Sequence, residues 1–119
     1  MGAARNGSIL IVEDEWLVRR EIAEELARAG WHVVEISNAQ DAIDELGRQA
    51  FRVVITDIGL GRGLSGWDVG RACATQGTPV IFVSGNRYDP SEAVPGSLFF
   101  AKPCRPAEIV RACGRWSRP

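Results

Sequence analysis

The sequence has very little lysine and histidine, and it lacks long apolar runs. Among its 119 residues there is one lysine beside thirteen arginines, and there is one histidine. No apolar run reaches the length of about 18 residues that crosses a membrane, and residues 1–7 lack the apolar stretch of a signal peptide. We therefore expect a cytoplasmic protein without a membrane partner.

Neither sign of charge dominates the chain, and cysteine is scarce. Fourteen basic and fifteen acidic residues are interspersed and give a formal net charge of −1, so no basic surface for nucleic acid is predicted. The three cysteines (Cys73, Cys104 and Cys113) are odd in number and lack the close spacing of a zinc site. With 45% hydrophobic and 24% charged residues, the composition is that of one globular domain.

Five short apolar runs alternate with segments of helical periodicity. The predicted strands cover about 8–13, 32–36, 52–57, 79–84 and 97–101, and the predicted helices cover about 15–29, 39–49, 66–75 and 106–116. On the first helix, the inward face is predicted to include Leu17, Val18 and Ile22. The alternation predicts a parallel sheet with right-handed crossovers and helices on both faces.

The segment between the fourth and fifth strands has little regular pattern. Residues 86–96 contain two prolines. A helix here could hold about one or two turns, which is too short to be stable without packing. We therefore expect the helix at this place to be short or disordered.

Three of the predicted strands run into residues that phosphoryl transfer uses. Glu13 and Asp14 follow the first strand, Asp57 ends the third, and Lys102, the only lysine, follows the fifth. Each alone has an ordinary explanation, such as a helix N-terminus, a turn or a solvated charge. Because ligands of open parallel sheets bind beyond the carboxyl ends of the strands, we expect these residues to converge on one site.

The converging side chains match the needs of a metal-dependent phosphate site. Carboxylates suit Mg²⁺, or Mn²⁺ in its place, and the predicted ligands are Glu13 (through a metal-bound water), Asp14, Asp57 and the backbone carbonyl of Gly59. Asp57 can act as a nucleophile towards phosphorus, and Lys102 can pair with a phosphate oxygen. Three carboxylates in one place repel one another, which favours binding of a divalent cation.

The fourth strand also ends on a suitable residue. The hydroxyl of Ser84 stands at that end, with Gly85 after it. A hydroxyl in this place could bond a phosphoryl oxygen. The predicted phosphate-binding set is therefore Ser84, Gly85 and Lys102.

In order and spacing, these residues resemble the receiver domain of bacterial two-component response regulators. The resemblance covers about residues 8–117 and rests on the following positions: Val12-Glu13-Asp14-Glu15, Asp57, Ser84, Phe99 and Lys102-Pro103. It implies a flavodoxin-like (βα)5 fold with strand order 2-1-3-4-5. It also implies that residues 1–7 are an N-terminal extension, and we expect no output domain.

The resemblance further implies how the domain works. Asp57 would accept a phosphoryl group from the phosphohistidine of a histidine kinase or phosphotransfer protein, and an unidentified downstream protein would read the result. Ser84 and Phe99 would form the switch, and the Lys102–Pro103 peptide would be cis. Gly59 and Asn86 would flank the path of the hydrolytic water. We expect a monomer or weak dimer.

The chain departs from the commonest family pattern in a few places. The segment from Ser84 to Phe99 is about four residues shorter than in typical members, Gly61 replaces a frequent proline, and Phe99 lacks a tyrosine hydroxyl. Some stand-alone regulators and some receivers attached to hybrid kinases have a similar glycine-rich loop and a short fourth helix.

Three other functions fit the sequence less well. A magnesium-dependent phosphatase of the haloacid dehalogenase type wants a second aspartate where this chain has Gly59, and it needs a substrate-covering cap. An interaction scaffold without phosphorylation would not need the acidic set, Ser84 and Lys102. A flavin- or nucleotide-binding module needs a phosphate-gripping loop after the first strand, where Glu13 and Asp14 stand.

Overall fold

The computed structural model describes residues 6–85 and 88–118. Five parallel strands form one sheet in the order β2-β1-β3-β4-β5. The elements are β1 (Gly7–Val12), α1 (Trp16–Arg28), β2 (Trp31–Ile36), α2 (Ala39–Leu46), β3 (Val53–Asp57), α3 (Gly66–Gln76), β4 (Val80–Ser84), β5 (Leu98–Ala101), α4 (Pro106–Cys113) and a 3₁₀ turn (Gly114–Trp116). The predicted flavodoxin-like fold and strand order are confirmed, with strand limits that differ by about one residue.

The apolar runs form the centre of the sheet, and each face of the sheet carries its own apolar cluster. Ile9 to Val12 of β1 are fully buried, as a strand covered on both faces requires. One cluster joins the sheet to α2 and α3, and the other joins it to α1 and α4. Alternate residues of each strand contribute to opposite clusters, so a one-residue slip in register would exchange the two faces.

Helices α2 and α3 begin at residues whose side chains cap them. The side chain of Asn38 accepts a hydrogen bond from the backbone N–H of Asp41 (2.8 Å), which caps α2. Ser65 and Asp68 form the predicted capping box at the start of α3. Helix α2 ends at Leu46, three residues before the predicted end, and the chain continues from there in turns.

One predicted core residue is exposed. The side chain of Leu17 is 70% exposed, whereas Ile22 and Leu26 are buried. Each residue advances about 100° around a helix, so Leu17 lies about 140° from Ile22, off the stripe that faces the sheet. The prediction that Leu17 belongs to the inward face was wrong.

Residues 88–97 connect β4 to β5 through turns and irregular backbone, in agreement with the expected short fourth helix. Side-chain contacts hold this segment to the rest of the domain, and Val94 packs against the cluster under α2 and α3. The ring of Tyr88 packs on that of Phe99, with 4.5 Å between centroids, and Glu92 pairs with Arg71 of α3. The segment is therefore fixed by side chains rather than by a helix of its own.

The beginning and end of the described chain lie together. The backbone N–H of Arg118 donates to the carbonyl of Asn6 (3.0 Å), and the guanidinium of Arg52 donates to the carbonyl of Trp116 (2.8 Å). None of the helices in the described part of the chain combines the length and the apolar character needed to cross a bilayer.

Candidate functional site

An acidic cluster lies where the central strands end. Glu13 and Asp14 follow β1, and Asp57 is the last residue of the neighbouring strand β3. One carboxylate oxygen from each residue lies within 4.8 Å of the others. Glu13 and Asp57 are buried, whereas Asp14 is exposed. The cluster is therefore built into the domain but open to solvent on the side of Asp14.

The only lysine of the chain joins this cluster. The Lys102 ammonium lies 2.8 Å from Oε1 of Glu13, 3.1 Å from Oδ2 of Asp57 and 3.7 Å from Oε1 of Glu15. Its backbone N–H donates to the carbonyl of Ser84 (2.8 Å), which ties the end of β5 to the end of β4. The peptide bond between Lys102 and Pro103 is cis.

Burial and charge act against each other in this cluster. Burial raises the pKa of Glu13 above its usual range, although hydrogen bonds from Lys102 and from the backbone of Glu15 oppose that shift. Burial disfavours the charged form of Lys102, but its hydrogen bonds to Glu13 and Asp57 outweigh this and raise the pKa of Lys102. Lys102 is therefore a permanent cation at neutral pH.

The backbone around Asp57 is closely held. Oδ1 of Asp57 accepts a hydrogen bond from the backbone N–H of Gly59 (3.2 Å), and its carbonyl accepts one from the hydroxyl of Thr56 (2.9 Å). The N–H of Ile58 donates to the carbonyl of Val83 in β4 (3.3 Å). These bonds hold the backbone at the end of β3 and the carboxylate of Asp57 in place.

Sequence reasoning missed the role of Gly66. A Cβ atom at this position would lie 1.9 Å from the carbonyl oxygen of Asp57. Only glycine lets the first turn of α3 come this close to the backbone of Asp57. The signal in the sequence is a poor helix former directly after the N-cap Ser65, where local propensity gives no reason for it.

The donor atoms of the cluster suit Mg²⁺ or Mn²⁺. Hard divalent cations prefer carboxylate and carbonyl oxygens, and three carboxylates face one ammonium here. When all three are ionised, Lys102 offsets only one of the negative charges. The residual charge favours a divalent cation.

The predicted switch residues lie on neighbouring strands beside the cluster. Ser84 is buried at the end of β4, with Gly85 exposed after it. Phe99 is half-buried on β5, in register with Phe82 of β4. Asn86 lies outside the described residues.

The rings of four aromatic residues form a continuous series beside these strands. Tyr88 packs on Phe99, and Trp67 of α3 contacts both Tyr88 (6.2 Å between centroids) and Phe82 (4.8 Å). A movement of Phe99 would therefore change the surroundings of Tyr88 directly and of Trp67 through it.

The start of α1 presents apolar side chains next to the acidic cluster. Trp16 is 62% exposed, and Leu17 beside it is more exposed still. An apolar cleft runs from this helix to Lys102 and is lined by Val18, Ile22, Pro103, Cys104 and Pro106. Exposed large apolar groups beside a cleft mark surfaces that bind other proteins.

Comparisons with known proteins agree with this geometry. A family model described as the response regulator receiver domain matches residues 9–113. Among curated proteins, no sequence matches the chain significantly. Among solved structures, the chain is similar to a response regulator receiver protein from Sinorhizobium medicae WSM419, with 28% identity, 92% of each chain covered and a TM-score of 0.86.

Two further structures show the same fold. The chemotaxis response regulator CheY4 of Vibrio cholerae is 21% identical, with 92% of this chain and 98% of that chain covered and a TM-score of 0.80. The BeF3-activated DrrB receiver domain is 23% identical, with 92% of this chain and 95% of that chain covered and a TM-score of 0.78.

Proposed function

This chain belongs to the response regulator receiver family, and we propose that Asp57 is its phosphoacceptor in a two-component phosphorelay. Receivers of this family are signalling phosphoacceptors rather than enzymes that turn over an external substrate. The observation that carries the proposal is the meeting of Glu13, Asp14, Asp57 and Lys102 at the ends of separate strands.

In the proposed reaction, a carboxylate oxygen of Asp57 attacks the phosphorus of a phosphohistidine. The new O–P bond forms as the N–P bond breaks, and the imidazole nitrogen keeps the electron pair and takes up a proton. Negative charge is spread over the three equatorial oxygens during transfer. The ammonium of Lys102 lies 3.1 Å from Asp57, and in this proposal it would pair with one of these oxygens.

Glu13, Asp14, Asp57 and the Gly59 carbonyl are the proposed ligands of Mg²⁺, with Mn²⁺ as a substitute. When bound, the ion would neutralise charge on the phosphoryl oxygens. In the structure the ammonium of Lys102 is shared between Glu13 and Asp57. Pairing with the phosphoryl group would require Lys102 to give up part of this contact.

The proposed partner is a histidine kinase or a phosphotransfer protein. It must bring a histidine side chain to Asp57, and the exposed Trp16 and Leu17 with the adjoining apolar cleft offer a surface at the right place. Both side chains lie within a few residues of Asp14, so a partner seated on them would also cover the cluster and exclude water. We propose the cytoplasm as the site of this exchange.

We further propose that Ser84 and Phe99 transmit the phosphorylation. Ser84 would move to bond a phosphoryl oxygen, with Gly85 leaving room for the move, and Phe99 would turn inward. A hydrogen bond of about 1–3 kcal/mol would shift a two-state population roughly 5- to 150-fold. In Ser84→Ala, phosphorylation should persist while NMR shifts over residues 88–100 stop responding. A normal response in that variant would contradict the coupling.

Gly59 and Asn86 are proposed to flank the path of the hydrolytic water. Gly59 is exposed, and a Cβ atom there would meet nothing within 4 Å. Water should therefore reach the acyl phosphate easily. Gly59→Leu is expected to slow the loss of phosphate from the purified phosphoprotein, and an unchanged decay rate would count against this role.

Beryllofluoride, a phosphoryl mimic, tests the proposed function. Added with Mg²⁺, it should change the tryptophan fluorescence of the wild-type chain, because Trp16 lies beside the acidic pair. Asp57→Asn should show no change, since the mimic would have no carboxylate to bind. A response of equal size in both proteins, or in neither, would refute Asp57 as the acceptor.

A further inference from the structure

Arg19, in the first turn of α1, contacts the peptide group between Glu13 and Asp14. Its Nη1 donates to the carbonyl of Glu13 (2.9 Å), and its Nε donates to Oε1 of Glu35 on β2 (3.1 Å). The side chain is only 14% exposed. Glu35 therefore orients the guanidinium, and the guanidinium orients the backbone at Glu13.

The backbone N–H of Glu13 is also hydrogen-bonded. The N–H of Glu13 donates to the carbonyl of Ile36 at the end of β2 (3.0 Å). Glu13 is thus tied to β2 through its N–H and, by way of Arg19, through its carbonyl. The direction in which the chain leaves β1 is set by these two bonds.

Asp14 depends on this backbone more than its neighbours do. The carboxylate of Glu13 is fixed by Lys102 and by the N–H of Glu15, and that of Asp57 by Lys102 and Gly59. The carboxylate of Asp14 is exposed and makes no hydrogen bond or ion pair with any residue in the described part of the chain. The direction in which its Cα–Cβ bond leaves the chain depends on the backbone that follows the Glu13 carbonyl, which Arg19 contacts.

We propose that Arg19 is a positioning residue for the divalent-cation site, acting through the Glu13 carbonyl to aim Asp14. This inference rests on the proposed function, because it assumes that the cluster binds Mg²⁺. The proposed role is unusual because a positively charged side chain would then favour the binding of another cation. As a charge alone, Arg19 would repel Mg²⁺ and weaken its binding; as a positioning residue, it strengthens that binding.

The two roles predict opposite results, and Arg20 supplies a matched control. Arg20 lies on the same helix and also pairs with Glu35, but it does not contact the Glu13 carbonyl. Arg19→Gln and Arg20→Gln each remove one positive charge from this region. Mg²⁺ affinity can be measured by titration, following the amide signals of residues 13–16 by NMR.

The expected result is a loss of Mg²⁺ affinity of roughly tenfold in Arg19→Gln, the scale typical of residues that orient metal ligands. Arg20→Gln should bind Mg²⁺ as well as the wild type or slightly better. Arg19→Lys should also lose affinity, because one ammonium does not reproduce the two directed bonds of the guanidinium. Glu35→Gln, which keeps the bond to the Glu13 carbonyl, should lose less.

A second measurement does not depend on the metal. The ¹⁵N shift of the Asp14 amide reports hydrogen bonding at the Glu13 carbonyl, so it should move in metal-free Arg19→Gln and stay in place in Arg20→Gln. Equal or tighter Mg²⁺ binding in folded Arg19→Gln would overturn the inference. Failure of the wild type to bind Mg²⁺ would instead overturn the proposed function, and the inference with it.

Discussion

Two glycines beside Asp57 carry opposite constraints. Gly66 has no room for a side chain, since an added Cβ would lie 1.9 Å from the carbonyl of Asp57 and 2.7 Å from the Cα of Ile58. Gly59 has open space around it. The sequence alone does not distinguish the two glycines. The distances in the structure show that Gly66 is required by packing and that Gly59 leaves the approach to Asp57 open.

Replacing Gly66 with alanine is therefore expected to destabilise the domain. The new methyl group would push α3 away from Asp57, and overpacking of this kind costs about 1–3 kcal/mol. Gly59→Ala is the control and should change the free energy of unfolding by less than about 0.5 kcal/mol. Urea denaturation of both variants measures the difference. Equal stability of the two would show that the close approach at Gly66 is relieved without strain.

The meeting of the acidic residues and Lys102 could be predicted from the sequence, because the order and direction of the strands bring them to one edge of the sheet. Because β1, β3 and β5 are parallel, the residues that follow them lie at the same edge of the sheet, so Asp14, Asp57 and Lys102 could be assigned to one site. The ammonium shared between Glu13 and Asp57 could not be predicted. Neither could the contact of Arg19 with the Glu13 carbonyl, because side-chain direction depends on packing that one sequence does not display.

At the scale of one element, α3 connects the backbone at Asp57 to residues 88–97, the irregular segment between β4 and β5. Its first turn contacts Asp57 through Gly66, and Arg71 pairs with both Asp68 and Glu92. The pKa of Asp68 is lowered, first by the backbone hydrogen bond from Ser65 and then by Arg71. The capping box is therefore strongest while Asp68 is ionised.

Asp68→Asn should give a stability difference that depends on pH. A folded-state pKa below the unfolded value of about 3.8 means that ionised Asp68 stabilises the fold above that pH, and that this stabilisation is lost as pH falls through the folded pKa. The variant should be less stable at pH 7 by roughly 0.5 kcal/mol. The gap should close below the folded-state pKa.

Urea midpoints at neutral and acid pH measure this gap. Glu92→Gln is the control, because it breaks an exposed ion pair with Arg71 but leaves the bond from Ser65 in place; such pairs contribute about 0–1 kcal/mol. A gap between wild type and Asp68→Asn that stayed constant with pH would argue against the carboxylate charge as its cause.

Most limits of the elements were predicted to within about one residue, whereas the end of α2 and the face of α1 that holds Leu17 were not. β-Branched runs and the Ser65 cap fixed β3 and the start of α3. The end of α2 was predicted three residues late, because the sequence after Gly47 keeps a helical composition while the chain already turns. Leu17 was misplaced because it was grouped by its apolar character, although its place in the helix repeat, about 140° from Ile22, already put it off the buried stripe.

At the scale of the whole molecule, the sheet separates two apolar clusters, and each contains one buried cysteine. Cys73 belongs to the cluster under α2 and α3, and Cys113 to the one under α1 and α4. Both are fully buried, and burial raises the pKa of each thiol to about 12. Cys104 is only half-buried, and burial with the nearby Glu108 raises its pKa as well.

Thiol labelling should therefore show two classes of cysteine. Burial keeps the thiols of Cys73 and Cys113 protonated and out of reach of a reagent, so Cys104 should react first with an aromatic disulfide reagent. Cys73 and Cys113 should follow slowly and at one shared rate, set by unfolding of the whole domain. Mass spectrometry of peptides gives each rate, and Cys104→Ser should remove the fast phase.

Unequal rates at the two buried thiols would contradict a single cooperative unit. Faster labelling of Cys113 would mean that α4 detaches from the sheet while the other face stays intact. Faster labelling of Cys73 would assign that mobility to α3 and to the segment it holds through Arg71.

The backbone bond between Asn6 and Arg118 has a consequence for how this domain can be built into other polypeptides. Entry and exit points that touch let a host protein carry the unit in a surface loop, with both junctions at one spot and little distortion of the host. They also allow circular permutation, in which the two ends are joined and new ends are made at another place in the chain. A receiver domain whose ends meet is therefore easier to insert into another protein than one whose ends lie far apart.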